Sequence, residues 1–188
     1  MSGIGWILVL VGAGVALVGL FLVVAYNRLV RWRQNVHEAW SAIDTELQRR
    51  HDLIPALVET VKGYAAHERQ TLERVIAARA AAVADHGPVE SQARHEGELV
   101  EALRRLLAVV EAYPDLKASD RFLQLQTELV ETEGRLSKAR RFYNANVREL
   151  NTAILTFPWS LVSGPFGFAT QPYFEVEEAA RAAPEVRM

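Results

Sequence analysis

The chain contains no cysteine, which excludes a disulfide framework, a thiolate zinc site, an iron–sulfur cluster and a cysteine nucleophile. It also lacks an excess of positive charge: 21 basic and 23 acidic side chains leave a net charge of −2, so no nucleic-acid partner read by a basic face is expected. No segment alternates apolar and polar residues over the length of a strand, and no Asn-Gly turn occurs, so no β-sheet is expected. None of the five histidines, His37, His51, His67, His86 and His95, lies three or four residues from another, as two metal ligands on one helix face would. His67-Glu68 runs on into Arg69, Gln70 and Thr71, so the zinc-protease string is missing, and no Glu stands three residues before a histidine as di-iron bundles require. Surface or helix-terminal histidines are the plain reading, with a ligand set drawn from distant helices the alternative. Gly12-Ala13-Gly14 sits in an apolar run without a preceding strand and is no dinucleotide fingerprint. No cofactor, metal or catalytic residue is therefore expected. The carboxylates read as solvated bundle surface, paired with arginines one turn away, as Glu46 with Arg49 or Arg50.

What is present is sharply divided. Every charged side chain falls after Tyr26, and Ile4–Tyr26 is an unbroken run of 23 uncharged residues. At ~1.5 Å per residue such a helix spans ~35 Å, enough to cross a hydrocarbon core of ~30 Å. Basic residues are missing before the run and no small-residue cleavage site follows it, so a retained transmembrane anchor is expected rather than a cleaved signal. Trp6 and Tyr26 stand near its two ends, where amphipathic rings favour the headgroup level. Arg28, Arg31 and Arg33 follow directly, which by the positive-inside rule puts the rest of the chain in the cytoplasm and the N-terminus outside. Gly12 and Ala16 have the spacing of a close helix–helix contact in the membrane, and equally of ordinary membrane-helix composition.

Beyond the anchor the pattern is helical throughout. Leu29, Trp32, Val36, Trp40, Ile43 and Leu47 line one face in steps of three and four, continuing the membrane helix. Asp52 reads as the cap of a second helix with Pro55 in its first turn and a stripe Ile54, Leu57, Val61, Ala65, Leu72, Val75. A kink rather than a stop is expected near Gly63 and Glu68. Gly87-Pro88 ends this element, with the glycine expected in a left-handed conformation. Leu99, Leu103, Leu106, Val110 and Tyr113 mark a third helix, and Tyr113-Pro114-Asp115 a turn. Ser119 reads as the cap of a last helix, Phe122, Leu125, Leu129, Thr132, Leu136, Ala139, Tyr143, Asn146, Leu150, Ile154, Phe157. Asn144, Arg148 and Asn151 lie near that seam, either fixing register or forming a solvated stripe. Gly134 interrupts it, either because a backbone passes close by or because the long helix tolerates the loss.

The expected fold is all-α: an N-terminal transmembrane helix continuing into an antiparallel up-and-down four-helix bundle, with divisions at 1–26, 27–157 and an aromatic loop and tail at 158–188. Four helices return the chain to the end it started from, so Phe157 should lie near the bilayer. FPWSLVSGPFGF, Phe157–Phe168, follows there with four aromatic rings in twelve residues. Trp159, Phe166 and Phe168 either touch the bilayer interface or a neighbouring subunit, or fold over the open end of the bundle as a cap. Tyr173 and Phe174 are expected to belong with this stretch, and the Ala/Glu tail from Glu175 to Met188 to form a short helix or a frayed end.

Several long strings resemble the LemA family of bacterial membrane proteins: YNRLVRWRQNVHEAW (Tyr26–Trp40), RRHDLIPALVETVKGYAAHE (Arg49–Glu68), YPDLKASDRFLQLQTEL (Tyr113–Leu129), ARRFYNANVRELNT (Ala139–Thr152) and the Phe157–Phe168 stretch. The sequence departs from the commoner pattern at Ala56, Ala145, Asn146, Leu150, Trp159, Ser160, Ser163 and Pro165. The resemblance implies one membrane helix, N-terminus outside, and a cytoplasmic four-helix bundle, without a reaction. Members in magnetosome-forming bacteria are linked to membrane shaping, and association with membrane proteases has been suggested. The expected function is thus a non-enzymatic scaffold at the bacterial cytoplasmic membrane that contacts the lipid bilayer and forms homo-oligomers or binds a membrane-protein partner, with an accessory subunit of a membrane protease as the alternative.

Overall fold

In the computed structural model, which describes residues 3–175, the first helix (α1, Gly3–Tyr64) runs for 62 residues without a break. Its apolar beginning is exposed on every side: Ile4, Leu10, Val15 and Leu17 all lie open, and the most apolar window of the helix buries nothing. Exposed apolar side chains all around a helix are stable in lipid, not in water.

From Ala25 onward α1 has a buried side. Leu29, Val36, Ile43, Leu47, Ile54, Leu57 and Val61 are all buried, so the first stripe expected from sequence and the start of the second lie on one continuous helix, while Leu72 and Val75 of the second fall on the next helix. The cap expected at Asp52 is therefore absent. Asp52 instead accepts a hydrogen bond from Gln48 Nε2 at 2.8 Å, and Pro55 sits inside the helix. A proline there has no N–H for the carbonyl of His51, four residues back. That carbonyl accepts from Arg79 Nε at 2.7 Å, so the backbone group Pro55 frees is satisfied and the helix continues. The full stop comes instead at Ala65–Glu68, where only a kink was expected. Ala65 N–H closes the last turn on Val61, and Glu68 N–H turns back onto Ala65.

Four more elements and a last short turn follow: α2 (Arg69–Ala84), α3 (Val89–Val110), α4 (Pro114–Lys117), α5 (Asp120–Leu155) and α6 (Ser160–Ser163). Among the described residues there is no strand. Ser119 directly precedes α5, and Tyr113-Pro114-Asp115 opens the single turn of α4 with Pro114 in its first positions, where a missing N–H costs no helical bond. Between α2 and α3, Gly87 does not take a left-handed backbone; the requirement there is spatial, since a Cβ would come within 2.9 Å of Asp85 Oδ1. Phe157, the last residue of the expected seam, lies beyond the end of α5 and is 79% exposed.

The contacts divide the chain into two compact units, a partition by packing that cuts across the sequence division into lipid and water segments. One contains α1 as far as Trp40 together with Tyr143–Gln171; the other contains Ser41–Phe142 and, of the described residues that follow, 172–175. In the second unit, Ile54, Leu57 and Val61 of α1, Leu72 and Val75 of α2, Leu99, Leu103 and Leu106 of α3, Leu116 of α4, and Phe122 and Leu125 of α5 form one core. In the first unit Ala25, Leu29 and Val36 of α1 and Tyr143, Val147 and Leu150 of α5 are buried, and Trp40 meets Tyr143 edge-on at 5.5 Å.

Gly134 lies on the exposed side of α5 with nothing within 4 Å of the position a Cβ would take, so no backbone passes close to it. Gly134→Ala is expected to stabilise the chain by about 1 kcal/mol through helix propensity alone, measured as a shift of the urea midpoint.

Candidate functional site

The first unit carries a cluster of rings and guanidinium groups where α1 leaves its apolar stretch. After α5 the chain turns back through α6. Ser163 is buried and its hydroxyl donates to the Ile154 carbonyl at 3.0 Å. Asn151 holds the exit of this stretch: its Nδ2 donates to the Gln171 carbonyl and its Oδ1 accepts the Gln171 N–H, both at 2.8 Å. Asn151 is thus a clamp on the returning backbone, a role outside both readings given above. Arg148 is exposed.

Held at both ends, the stretch lays its rings on α1. Trp159 lies 6.2 Å from Phe21 and 5.6 Å from Trp32, while Tyr26 lies 5.2 Å from Phe166 and 5.8 Å from Phe168. The Arg28 guanidinium sits 5.0 Å from the Trp32 ring centre and 5.8 Å from that of Trp159, and Arg33 lies 5.2 Å from that of Phe168. The stretch is two-sided. Val162, Ser163 and Phe168 are buried, whereas Phe157, Leu161 and Phe166 remain 79%, 61% and 53% exposed. Trp159, Phe166 and Phe168 are brought together beside Tyr26; Gly12 and Ala16 lie earlier on α1, exposed, with nothing near Gly12.

Tyr173 and Phe174 do not belong with the stretch. They fall in the second unit, where Tyr173 lines an open groove of about 1070 Å³ with Arg74, Arg94, Glu98 and Arg105. The expected helix or frayed end of the tail lies outside the described residues beyond Glu175.

The second unit holds a feature that the sequence reading placed on the surface. Arg50, His51 and Glu96 are 3%, 5% and 2% exposed. Glu96 accepts from Arg50 and forms a 2.8 Å hydrogen bond with His51 Nε2. Arg50 reaches Glu133 at 3.0 Å, and Glu133 in turn pairs with Arg140. Nearby, Arg135 Nε donates to Glu46 at 3.0 Å and its Nη2 to the buried Thr132 hydroxyl at 3.1 Å. The network therefore joins α1, α3 and α5. Burial would push the Glu96 carboxyl up, but the hydrogen bond from His51 and the charge of Arg50 outweigh it and hold its pKa below the usual range. Glu46 does pair with Arg49, at 3.6 Å, while Arg50 turns inward.

At the α2–α3 turn, the Asp85 carboxylate accepts from Ser91 Oγ at 2.6 Å and from Gly87 N–H at 2.8 Å, and lies 2.6 Å from His95 Nδ1. These bonds hold its pKa at about 2 against an ordinary 3.8. Glu96 and Asp85 both have folded pKa values below their unfolded ones. Each contributes stability that is fully present above its unfolded value and is lost as pH falls through its folded value. The urea midpoint is therefore expected to fall as pH drops from 4.5 towards 2, and Glu96→Gln with Asp85→Asn to flatten that fall. A pH series of urea titrations on the full chain in detergent checks this.

Compared with known proteins, residues 39–188 match the model of the LemA family. The chain is 27% identical over 183 residues to the magnetosome protein MamQ 2 of Paramagnetospirillum magneticum, covering 84% of this chain and 67% of that protein. It is 26% identical over 183 residues to the magnetosome protein MamQ of Magnetospirillum gryphiswaldense, with the same coverage of 84% and 67%. Protein LemA of Metamycoplasma hominis is 28% identical over 160 residues, covering 82% of this chain and 71% of that protein.

Proposed function

Because the chain belongs to the LemA family, we propose that it is a single-pass, membrane-anchored helical scaffold, without catalysis, that self-associates at the cytoplasmic face of the bacterial cytoplasmic membrane and organises or bends it. Its anchor is the apolar start of α1, with the N-terminus outside. Its body is an up-and-down four-helix bundle of the remainder of α1 with α2, α3 and α5.

The observation that carries the reading is the two-sided aromatic stretch. Buried Val162 and Phe168 hold it in place, and exposed Phe157, Leu161 and Phe166 leave an apolar surface in the same unit as Tyr26. Apolar side chains left outward beside a membrane helix suit a bilayer interface or a second copy of the chain. The link of some relatives in magnetosome-forming bacteria to membrane shaping supports the same reading.

Two measurements test it. Because the chain has no cysteine, Gly3→Cys should react with an impermeant reagent from outside intact cells and His86→Cys should not; the reverse pattern would overturn the orientation. Sizing and imaging of the purified chain in detergent and in vesicles should show an oligomer that changes vesicle shape. A strict monomer on unaltered vesicles sinks the scaffold, and a stoichiometric foreign partner dominating crosslinks in the host favours the accessory subunit instead.

A further inference from the structure

The membrane end of α1 has an electrostatic property that anchoring alone does not require. No Asp or Glu occurs in residues 1–37 or 150–174, so Arg28, Arg31 and Arg33 are the only charged side chains of those two stretches. Among the described residues no carboxylate pairs with any of the three, and all are exposed. Other arginines, such as Arg50, Arg135 and Arg140, do find carboxylates.

Resting on the membrane reading above, we propose that this arginine cluster binds the phosphate of anionic phospholipid headgroups. Arg28 and Arg31 lie one turn apart on one side of α1, and Arg33 lies about 140° round from Arg28 at 3.6 residues per turn. Arg28 lies beside the edge-to-face pair of Trp32 and Trp159, and Arg33 lies beside Phe168. A ring beside a guanidinium attracts its charge without using its N–H donors as a carboxylate would, and the planar fork of five donors can grip a phosphate with two parallel hydrogen bonds. A signal for membrane orientation needs positive charge only. It does not need Trp159 and Phe168 brought from the other end of the chain to fix those charges. The level is also right, since the arginines begin two residues after the last residue of the uncharged run, where headgroups lie.

The test uses the full chain with Trp6→Phe and Trp40→Phe, so that Trp32 and Trp159 report. It is reconstituted in phosphatidylcholine vesicles carrying equal amounts of brominated phosphatidylglycerol or brominated phosphatidylcholine, the same in both leaflets, so direction of insertion does not matter. Quenching by the anionic lipid should exceed that by the zwitterionic lipid several-fold. Arg28→Gln, Arg31→Gln and Arg33→Gln together should bring the two to parity while circular dichroism and flotation with the vesicles stay unchanged. Equal quenching in the parent chain overturns the proposal, as does an excess that survives loss of the arginines. Inorganic phosphate that removes the excess, where sodium chloride of equal ionic strength does not, identifies soluble phosphate as the ligand and overturns the lipid assignment. Crosslinking in the same vesicles reads self-association separately: a monomer that keeps the anionic excess sinks the scaffold and leaves the lipid site standing.

Discussion

Truncation of Glu96 to alanine is expected to lower the unfolding free energy by about 3–5 kcal/mol, the cost of leaving a buried charge without its partner. His51 would lose its carboxylate partner and Arg50 its buried one, keeping only the half-exposed Glu133, while both side chains are more than nine-tenths buried. Urea unfolding of the full chain in detergent, followed by helical circular dichroism, reads the loss as a lower midpoint. The contrasting variant carries Arg50→Met, His51→Leu and Glu96→Leu together. Replacing a whole buried ionic cluster with apolar side chains of similar volume ranges from neutral to about 1–4 kcal/mol stabilising, because the desolvation penalty is removed along with the attraction. The triple variant should therefore unfold at or above the parent's midpoint. Arg50 Nε is buried and unpartnered, which lowers the net value of the network further. The network joins three helices, with Arg50 of α1 reaching Glu96 of α3 and Glu133 of α5. A triple variant as unstable as Glu96→Ala would show instead that the ions stabilise the core on balance.

The residues of this network were within reach of the sequence. Arg50 lies three residues after Leu47 and four before Ile54, both buried, so the apolar stripe of α1 runs directly through it. Glu96 likewise stands between Ala93 and Leu99 on the buried side of α3, and Thr132 was already part of the α5 stripe. Reading charge as surface overrode a periodicity that placed these side chains inside. The stripes themselves were legible because burial of apolar area selects them whatever the neighbours do. The helix boundary at Asp52 was not. Its absence depends on Arg79, far off in sequence, answering the carbonyl that Pro55 leaves open. The aromatic stretch showed the reverse pattern: its composition could be read directly, and its expected place near the end of the apolar run agrees with Trp159 lying beside Phe21 and Trp32. Which rings turn inward could not be read, because that depends on the Ser163 and Asn151 anchors, which exist only once α5 and the loop are side by side.

Arg79→Met is expected to cost about 1–3 kcal/mol, the penalty for a buried carbonyl left without a donor. In a background carrying Pro55→Ala the same substitution should cost much less. Alanine restores the N–H that a helix interior uses four residues back, so the His51 carbonyl no longer needs Arg79. Pro55→Ala alone should raise stability by about 1–3 kcal/mol, since proline in a helix interior costs ~3 kcal/mol relative to alanine and Arg79 already recovers part of it. The double-mutant cycle in urea should therefore return a coupling of about 1–2 kcal/mol between two residues whose side chains need not touch. The parent chain thus spends helix stability in α1 to fasten α2 to it at one place, by a bond between Arg79 and a backbone group that an uninterrupted helix would not offer. Equal costs of Arg79→Met in the two backgrounds would mean that Arg79 acts through packing of its stem, and the continuity of α1 through Pro55 would then require a different cause.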